Sequence, residues 1–170
     1  MGRFGTKGID QKEYVSFVTA YKTVMYRIAY GYLGDDVKAL DAVDEAVYLG
    51  YLHRKELREQ ELLKTWLTRI LINECYRVLK KGKREVPVEA LPTMISPPTD
   101  LSLPVKLAVQ SLPEELRKVI VLRYLGGYTI TDTALILELP EGTVSSRARK
   151  ALAMLRLDLD DEEGGVSYGK

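Results

Sequence analysis

Short hydroxyl-bearing side chains and cations recur along the segment that follows Pro140. At helical spacing one side of this segment is polar, formed by Glu141, Thr143, Ser145, Ser146, Arg149 and Lys150. Hydroxyl and cationic groups near the start of an exposed helix suit hydrogen bonding to base edges and phosphates in a DNA major groove. The pattern therefore predicts a DNA-binding helix. An ordinary surface helix with a solvated polar face would show the same pattern.

A shorter helix must precede this polar helix and hold it in place. Thr129 is suited to cap that first helix, and Pro140 ends it because proline lacks the backbone N–H that a helix interior needs. Small Ala134 would let the two helices cross closely, as a helix-turn-helix requires. The positions predicted to face inward are Ala134, Leu137 and Leu139 in the first helix, and Val144, Ala148, Ala151, Leu152 and Leu155 in the second.

Ten residues of this segment form a motif that is defined by residue type and spacing: Tyr128, Ala134, Ile136, Leu137, Pro140, Gly142, Thr143, Val144, Ser146 and Arg147. Together they resemble the promoter-binding helix-turn-helix of bacterial sigma factors of the extracytoplasmic-function (ECF) group. Glu138 departs from the pattern by replacing the usual turn glycine, which predicts a non-glycine residue at positive φ. Ser145 departs by replacing a lysine or arginine. The resemblance implies binding to the minus-thirty-five promoter element by Thr143, Ser145, Ser146, Arg147, Arg149 and Lys150.

Two stretches in the N-terminal half resemble further segments of the same family. The first is YLGDDVKALDAVDEAVYLGYL, with matches at Tyr32, Leu33, Gly34, Asp35, Asp41, Val43 and Glu45. The second is LLKTWLTRILINECYRVLKKGKR, with matches at Thr65, Trp66, Leu67, Arg69, Ile70 and Asn73. In ECF sigma factors the first stretch grips core RNA polymerase, and the resemblance implies that role for Asp41, Asp44 and Glu45.

The second stretch carries a track of polar and basic side chains that could follow single-stranded DNA. Its members are Arg69, Asn73, Arg77, Lys80 and Lys81. The charged loop at residues 52–62 corresponds in position to the family's pocket for a flipped minus-ten base. Leu57 could form part of the wall of such a pocket, and its rim could be supplied by Arg54, Lys55, Arg58 and Gln60. Leu57 stands where an aromatic residue is common, and Glu56, Glu59 and Glu61 make the loop acidic. Plain solvated surfaces remain the alternative for all these residues.

Proline and glycine divide the chain into two helical regions. Residues 83–103 hold four prolines, too many for a helix, and no stretch alternates with the period of a strand. We therefore predict an all-α fold of two small helical domains joined by a proline-containing linker, the C-terminal domain being a helix-turn-helix. The predicted divisions are a loose glycine-rich start at 1–10, a domain at 11–82, a linker at 83–103, a domain at 104–157 and an acidic tail at 158–170.

Composition argues against several other classes of protein. The net charge is +1 at pH 7, with basic residues grouped at 77–84 and 147–156. Cys75 and His53 are the only residues of their types, so a disulfide framework, a metal site or a catalytic triad is not expected. Neither a secretory signal nor a membrane-length apolar run is evident. We expect a cytoplasmic protein with no cofactor and no direct membrane insertion.

The resemblance implies an alternative sigma factor that directs core RNA polymerase to promoters and is not itself an enzyme. Its implied partners are core RNA polymerase, promoter DNA in duplex and single-stranded form, and an anti-sigma factor, with no small-molecule substrate. One alternative is a helical adaptor or anti-activator that binds a protein and no DNA. A second is a ligand-responsive helix-turn-helix repressor, which is weakened because the sequence offers neither a large apolar pocket nor a dimerisation helix.

Overall fold

The computed structural model describes residues 8–82 and 101–163, with side chains up to Arg156, and these ranges contain helices but no strand. This confirms the all-α prediction. The linker residues 83–100 lie outside the described residues, as do 1–7 and 164–170. None of the described helices is both long and apolar enough to cross a membrane. The helices are α1 Gln11–Leu33, α2 Asp36–His53, α3 Leu63–Gly82, α4 Leu103–Ser111, α5 Glu114–Ile120, α6 Ile130–Leu137 and α7 Glu141–Glu163.

Helices α1 to α3 form an N-terminal lobe whose ends are set by local capping. Asp10 caps α1 by accepting a hydrogen bond from the Glu13 N–H, and Asp35 caps α2 by accepting one from the Lys38 N–H, each at 2.9 Å. Gly34 ends α1 at a φ of 70°, a conformation that glycine adopts without steric cost. The side chains buried between the three helices include Met25, Ile28, Ala29, Val43, Ala46, Leu67 and Leu71.

Helices α4 to α7 form a C-terminal lobe that contains the predicted helix-turn-helix. The Thr129 hydroxyl caps α6 by accepting from the Asp132 N–H at 3.1 Å. Glu138 has a φ of 55°, which confirms the prediction of a non-glycine residue in the left-handed region. The Pro140 carbonyl accepts from Thr143 and Val144, so proline lies just before α7 rather than in its first turn.

The core of this lobe differs from the predicted stripe at one position. Val144 and Ala151 are fully buried, and Ala134 packs with Val144 and Val119 beneath the turn. Leu152, predicted to face inward, is 41% exposed, because Ala151 takes the place against the neighbouring helices. After α5 the chain widens into a π-helical segment, Val121–Leu125, in which the Gly126 N–H donates to the Val121 carbonyl at 2.9 Å.

The two lobes are packed against each other through a shared core and buried polar contacts. The Tyr128 hydroxyl, at the start of the helix-turn-helix, hydrogen-bonds with the hydroxyls of Thr68 and Tyr21 in the N-terminal lobe. The Tyr32 hydroxyl donates to Glu114 at 2.7 Å, and the Gln110 amide donates to the Gly31 carbonyl at 2.7 Å. Burial raises the pKa of Tyr128 above its ordinary value of 10.0, so this cluster is neutral at physiological pH.

The first described residues are ordered against the N-terminal lobe. Ile9 is only 3% exposed and belongs to a small apolar cluster with Tyr14 and Leu63. Asp10 supplies the α1 cap. The prediction of a loose segment at residues 1–10 is therefore wrong for Ile9 and Asp10, because burial of one isoleucine and a capping bond fix their conformation.

Helix α7 continues through Glu163, so the start of the predicted acidic tail is helical. At 1.5 Å per residue, Glu163 lies roughly 25 Å along the helix from Ser146. The acidic residues up to Glu163 therefore extend away from the polar first turns of α7.

Candidate nucleic-acid and polymerase interfaces

The first turns of α7 place the six predicted minus-thirty-five residues on two adjoining sides of the helix. A groove between α7 and the beginning of α5 is lined by Thr143, Ser146, Arg147 and Lys150, which lie three or four residues apart. Ser145 and Arg149 fall on the neighbouring side. Ser146, Arg149 and Lys150 are exposed, and they present one hydroxyl and two cations to solvent.

Arg147 differs from its neighbours because it has a partner inside the lobe. Its guanidinium donates to the Glu115 carboxylate at 2.6 Å, and only 29% of its side chain is exposed. Lys118 lies 3.6 Å from the other oxygen of the same carboxylate. Arg147 thus ties α7 to α5, a role that its place in the sequence motif did not indicate.

The acidic residues predicted to meet the polymerase follow the outer side of α2. Asp41 and Asp44 are exposed, and Glu45 is half-buried. Asp44 is 3.7 Å from Lys22, but both side chains are more than half exposed, so this ion pair is weak. Tyr48 lies on the same side, four residues after Asp44, and is 57% exposed. Sequence reasoning missed Tyr48, although its helical spacing from Asp41 and Asp44 was a usable signal.

Most of the predicted single-strand track on α3 is exposed. Asn73, Arg77, Lys80 and Lys81 face solvent, although Arg77 also donates two hydrogen bonds to Glu74, at 2.9 and 2.6 Å. The sequence analysis did not single out Tyr76, whose ring is 43% exposed. This ring lines a shallow groove together with Arg77, Lys80 and Lys81, and the Lys80 ammonium lies 5.6 Å from its centre. An exposed aromatic ring among cations is the usual platform for unpaired bases.

Arg69 is separated from the rest of this track because it contacts the other lobe. Its guanidinium donates to the Leu135 carbonyl at the end of α6. It also lies 3.5 Å from the carboxylate of Glu138, the residue at positive φ in the helix-turn-helix. In this arrangement of the lobes, Arg69 is therefore occupied.

The loop at residues 54–62 is fixed at its first residue and near its middle. The Arg54 guanidinium stacks 4.0 Å above the Tyr51 ring and donates to the Tyr51 carbonyl at 2.7 Å. Leu57 is half-buried and packs against the cluster of Ile9, Tyr14 and Leu63. The Glu56 carboxylate is 2.8 Å from His53 Nδ1, and Arg58 is exposed. The exposed residues of this loop are Lys55, Glu56, Arg58, Glu59, Gln60, Glu61 and Leu62.

The buried cysteine is not placed for chemistry. Cys75 is enclosed within the N-terminal lobe, and burial raises the pKa of its thiol to about 12, which leaves it protonated. The described residues contain no group of three or more His, Cys, Asp and Glu side chains that could hold a metal ion.

Both lobes match models of known protein families. Residues 17–85 match sigma-70 region 2, and residues 102–155 match sigma-70, region 4. The first match spans the acidic side of α2, the loop and α3, while the second spans the helix-turn-helix.

Individual relatives cover nearly the whole chain. The ECF RNA polymerase sigma-E factor of Escherichia coli K12 is 32% identical over 162 residues, which cover 84% of each chain. The ECF RNA polymerase sigma factor SigW of Bacillus subtilis is 27% identical over 171 residues, covering 89% of this chain and 91% of SigW.

Solved structures resemble the packed arrangement of both lobes. The sigma factor RpoE of Bartonella quintana, in complex with the anti-sigma factor NepR, aligns with a TM-score of 0.70 and 26% identity over 85% of this chain and 97% of RpoE. CnrH, in complex with the cytosolic domain of CnrY, has the same fold with a TM-score of 0.67 and 18% identity, over 89% of this chain and 90% of CnrH. From its two region matches and its full-length relatives, the chain belongs to the ECF group of sigma-70 factors.

Proposed function

We propose that this chain directs core RNA polymerase to promoters by binding duplex DNA with α7 and single-stranded DNA with α3. One observation carries this proposal: the same chain has two separate basic surfaces. One is a capped helix-turn-helix that exposes Ser146, Arg149 and Lys150, and the other is the basic track on α3. The polymerase performs the nucleotide chemistry, so the chain itself is a regulator and not an enzyme. Because the proposed partner is a bacterial polymerase, we infer that the chain acts in the cytoplasm.

We assign the minus-thirty-five element to the polar side of α7. Ser146 and Lys150 lie on the groove side, and Arg149 lies on the adjoining exposed side. A helix that presents a hydroxyl and two cations can donate to base edges while holding the flanking phosphates. Arg147 is bonded to Glu115, so we infer that it supports this surface from within the lobe.

We assign the minus-ten element to α3 and the loop before it. Asn73, Arg77, Lys80 and Lys81 supply hydrogen bonds and positive charge along the helix, and Tyr76 offers a ring for stacking. Separating DNA strands costs stacking and pairing energy, which contacts to unpaired bases offset. The exposed loop residues directly precede the helix that carries this track, and we assign to them the pocket for one flipped base.

We assign core polymerase binding to the outer side of α2, where Asp41, Asp44, Glu45 and Tyr48 lie together. An acidic surface with an aromatic side chain suits a basic partner. RpoE of Bartonella quintana binds the anti-sigma factor NepR, and we infer that an anti-sigma factor also regulates this chain. Such a partner would act by covering these surfaces.

Reconstituted transcription tests the proposed function. Purified chain added to core polymerase should form a complex and start transcription at discrete promoter positions. The variant Asp44→Lys/Glu45→Lys should lose association with core, because two acidic groups become cations against a basic partner, while its circular dichroism stays unchanged. Full-strength association of this variant would contradict the α2 assignment. Core binding without specific initiation would instead support an adaptor that does not bind DNA.

A further inference from the structure

The described N-terminal residues Gly8 and Ile9 contact the start of the loop that precedes α3 directly. The Ile9 N–H donates to the Arg54 carbonyl at 3.2 Å, across 45 positions of sequence. A Cβ atom added to Gly8 would lie 2.2 Å from the Lys55 carbonyl oxygen and 2.4 Å from the Lys55 Cα. Because both of these are backbone atoms, no side-chain rotation could relieve such a clash. We call residues 8–10 the N-terminal clip.

The side chain of Ile9 makes a second connection to the same loop. It is 3% exposed and packs with Tyr14 and Leu63, and Leu57 packs on this cluster from the loop. The residues on either side of Leu57 are exposed. The loop is thus held at Arg54 through a backbone hydrogen bond and at Leu57 through an apolar contact, and the clip contributes to both.

The clip is itself attached to a rigid element. The Asp10 side chain accepts from the Glu13 N–H at 2.9 Å, and its carbonyl accepts from the Tyr14 N–H at 3.0 Å, so α1 begins immediately after the clip. The Tyr14 hydroxyl in turn donates to the Val47 carbonyl of α2 at 2.6 Å. The loop between α2 and α3 is therefore held from outside by the start of α1.

We propose that the N-terminal clip determines the shape of the minus-ten loop, and that Gly8 and Ile9 are positioning residues for discrimination of the minus-ten base. This inference rests on the proposed function of the loop. A pocket for a flipped base discriminates only when its walls are held in place, because a movable wall adapts to a wrong base. Loss of the clip should therefore relax base preference while leaving binding elsewhere in the chain unchanged.

The experiment measures transcription by core polymerase with the full chain from promoters that vary at the minus-ten element. The test variants are Ile9→Ala and Gly8→Ala, and Ile9→Val is the conservative variant. The matched control is Ile120→Ala, since Ile120 is also 3% exposed but lies in α5 of the other lobe. Affinity for a minus-thirty-five duplex is measured in parallel for every variant.

Ile9→Ala and Gly8→Ala should reduce the preference for the best base about five-fold or more, the size of a typical single-base penalty. Ile9→Val should retain the preference, and minus-thirty-five affinity should stay within about two-fold, because those contacts lie in the other lobe. In the free protein, amide hydrogen exchange at residues 55–59 should accelerate in Ile9→Ala and not in Ile120→Ala. This last readout reports on loop anchoring independently of DNA.

The inference would be overturned if both clip variants kept the base preference of the original chain. It would also be overturned if Ile120→Ala lost as much base preference as they do. In either case the clip would be a purely structural element. Unchanged exchange at residues 55–59 in Ile9→Ala would also overturn it, since the loop would not depend on the clip. A separate variant, in which residues 52–62 are exchanged for the loop of another ECF factor, distinguishes failure of the clip inference from failure of the proposed loop function. If that exchange leaves base preference unaltered, the proposed function of the loop has failed.

Discussion

At the scale of single residues, two cations on α7 have different environments although both are predicted to bind the minus-thirty-five element. Arg147 is bonded to Glu115 and is mostly covered, whereas Lys150 is exposed at the edge of the groove. A cation already held by a carboxylate must give up that partner before it binds a phosphate. Loss of Arg147 should therefore mainly lower the stability of the fold, whereas loss of Lys150 should mainly weaken DNA binding.

Lys150→Ala and Arg149→Ala should each weaken duplex binding and lower the slope of log affinity against log salt by about 0.9 for each phosphate that the variant no longer neutralises. Arg147→Ala should leave the slope unchanged and instead lower the free energy of unfolding by ~1 kcal/mol or less, because the ion pair is partly exposed. Fluorescence titration over a range of salt concentrations and urea unfolding give the two quantities. A reduced slope for Arg147→Ala would show that Arg147 leaves Glu115 and binds DNA.

At the scale of elements, the loop before α3 combines exposed carboxylates and cations on an anchored backbone. Glu59 and Glu61 are exposed, while Glu56 is beside His53 and Arg54 lies on Tyr51. Carboxylates repel phosphates but accept hydrogen bonds from exocyclic amines. A flipped cytosine or adenine is therefore expected to fit this loop better than thymine.

Exchange of residues 52–62 for the corresponding loop of another ECF factor should change the preferred minus-ten base. Affinity for core polymerase and for a minus-thirty-five duplex should stay nearly constant, because the surfaces that we propose for them are on α2 and α7. Transcription from promoters randomised at the minus-ten element measures the preference. If the exchanged protein selects the same base as the original, these residues only connect two helices.

At the scale of the whole molecule, the sites that we propose for the two promoter elements lie too close together in the closed packing of the lobes to be occupied at once. Elements centred at minus ten and minus thirty-five are about 25 base pairs apart, which is roughly 85 Å of B-form DNA. Arg69 contacts Leu135, and Ser146 follows Leu135 by 11 residues. Eleven residues span at most about 40 Å even when fully extended. With the proposed sites, the lobes must therefore separate when both elements are bound.

Glu138→Gly and Tyr128→Phe should each shift the free chain towards separated lobes. The first removes the carboxylate near Arg69, and the second removes a buried hydroxyl that bonds to Thr68 and Tyr21. Small-angle scattering should give a radius of gyration near the compact value of about 15 Å for the unsubstituted chain and a larger one for the variants. Tyr48→Phe, on the exposed side of α2, is the control. Equal radii in all four proteins would contradict a role for these contacts in closure.

High pH should have the same effect as Tyr128→Phe, because burial raises the pKa of Tyr128 in the closed form. In the separated form Tyr128 has the ordinary tyrosine pKa of 10.0, so its hydroxyl loses its proton at a lower pH than in the closed form. The closed form is therefore fully stabilised below pH 10 and loses that stability as the pH rises above it. Scattering between pH 8 and about 11 should therefore show expansion of the original chain. In Tyr128→Phe the radius should depend less on pH.

Local features of the sequence were enough to determine the all-helical class, some of the helix caps and the helix-turn-helix. Thr129 and Asp35 cap helices because a hydroxyl or carboxylate oxygen can satisfy an N–H two or three residues ahead, and Glu138 adopts positive φ because the turn before Pro140 demands it. The exposed polar sides of α2, α3 and α7 likewise follow from helical spacing. Family resemblance then connected those sides to polymerase and DNA.

Tertiary packing decided which of these residues are available. The pairing of Arg147 with Glu115, the contact of Arg69 with α6 and the burial of Ile9 against the loop all join residues far apart in sequence. Leu152 is exposed and Ala151 buried for the same reason, since two adjacent residues of a helix compete to face its neighbours. Helical periodicity fixes which side chains share a side, but the shape and charge of the opposing element select the side that is covered.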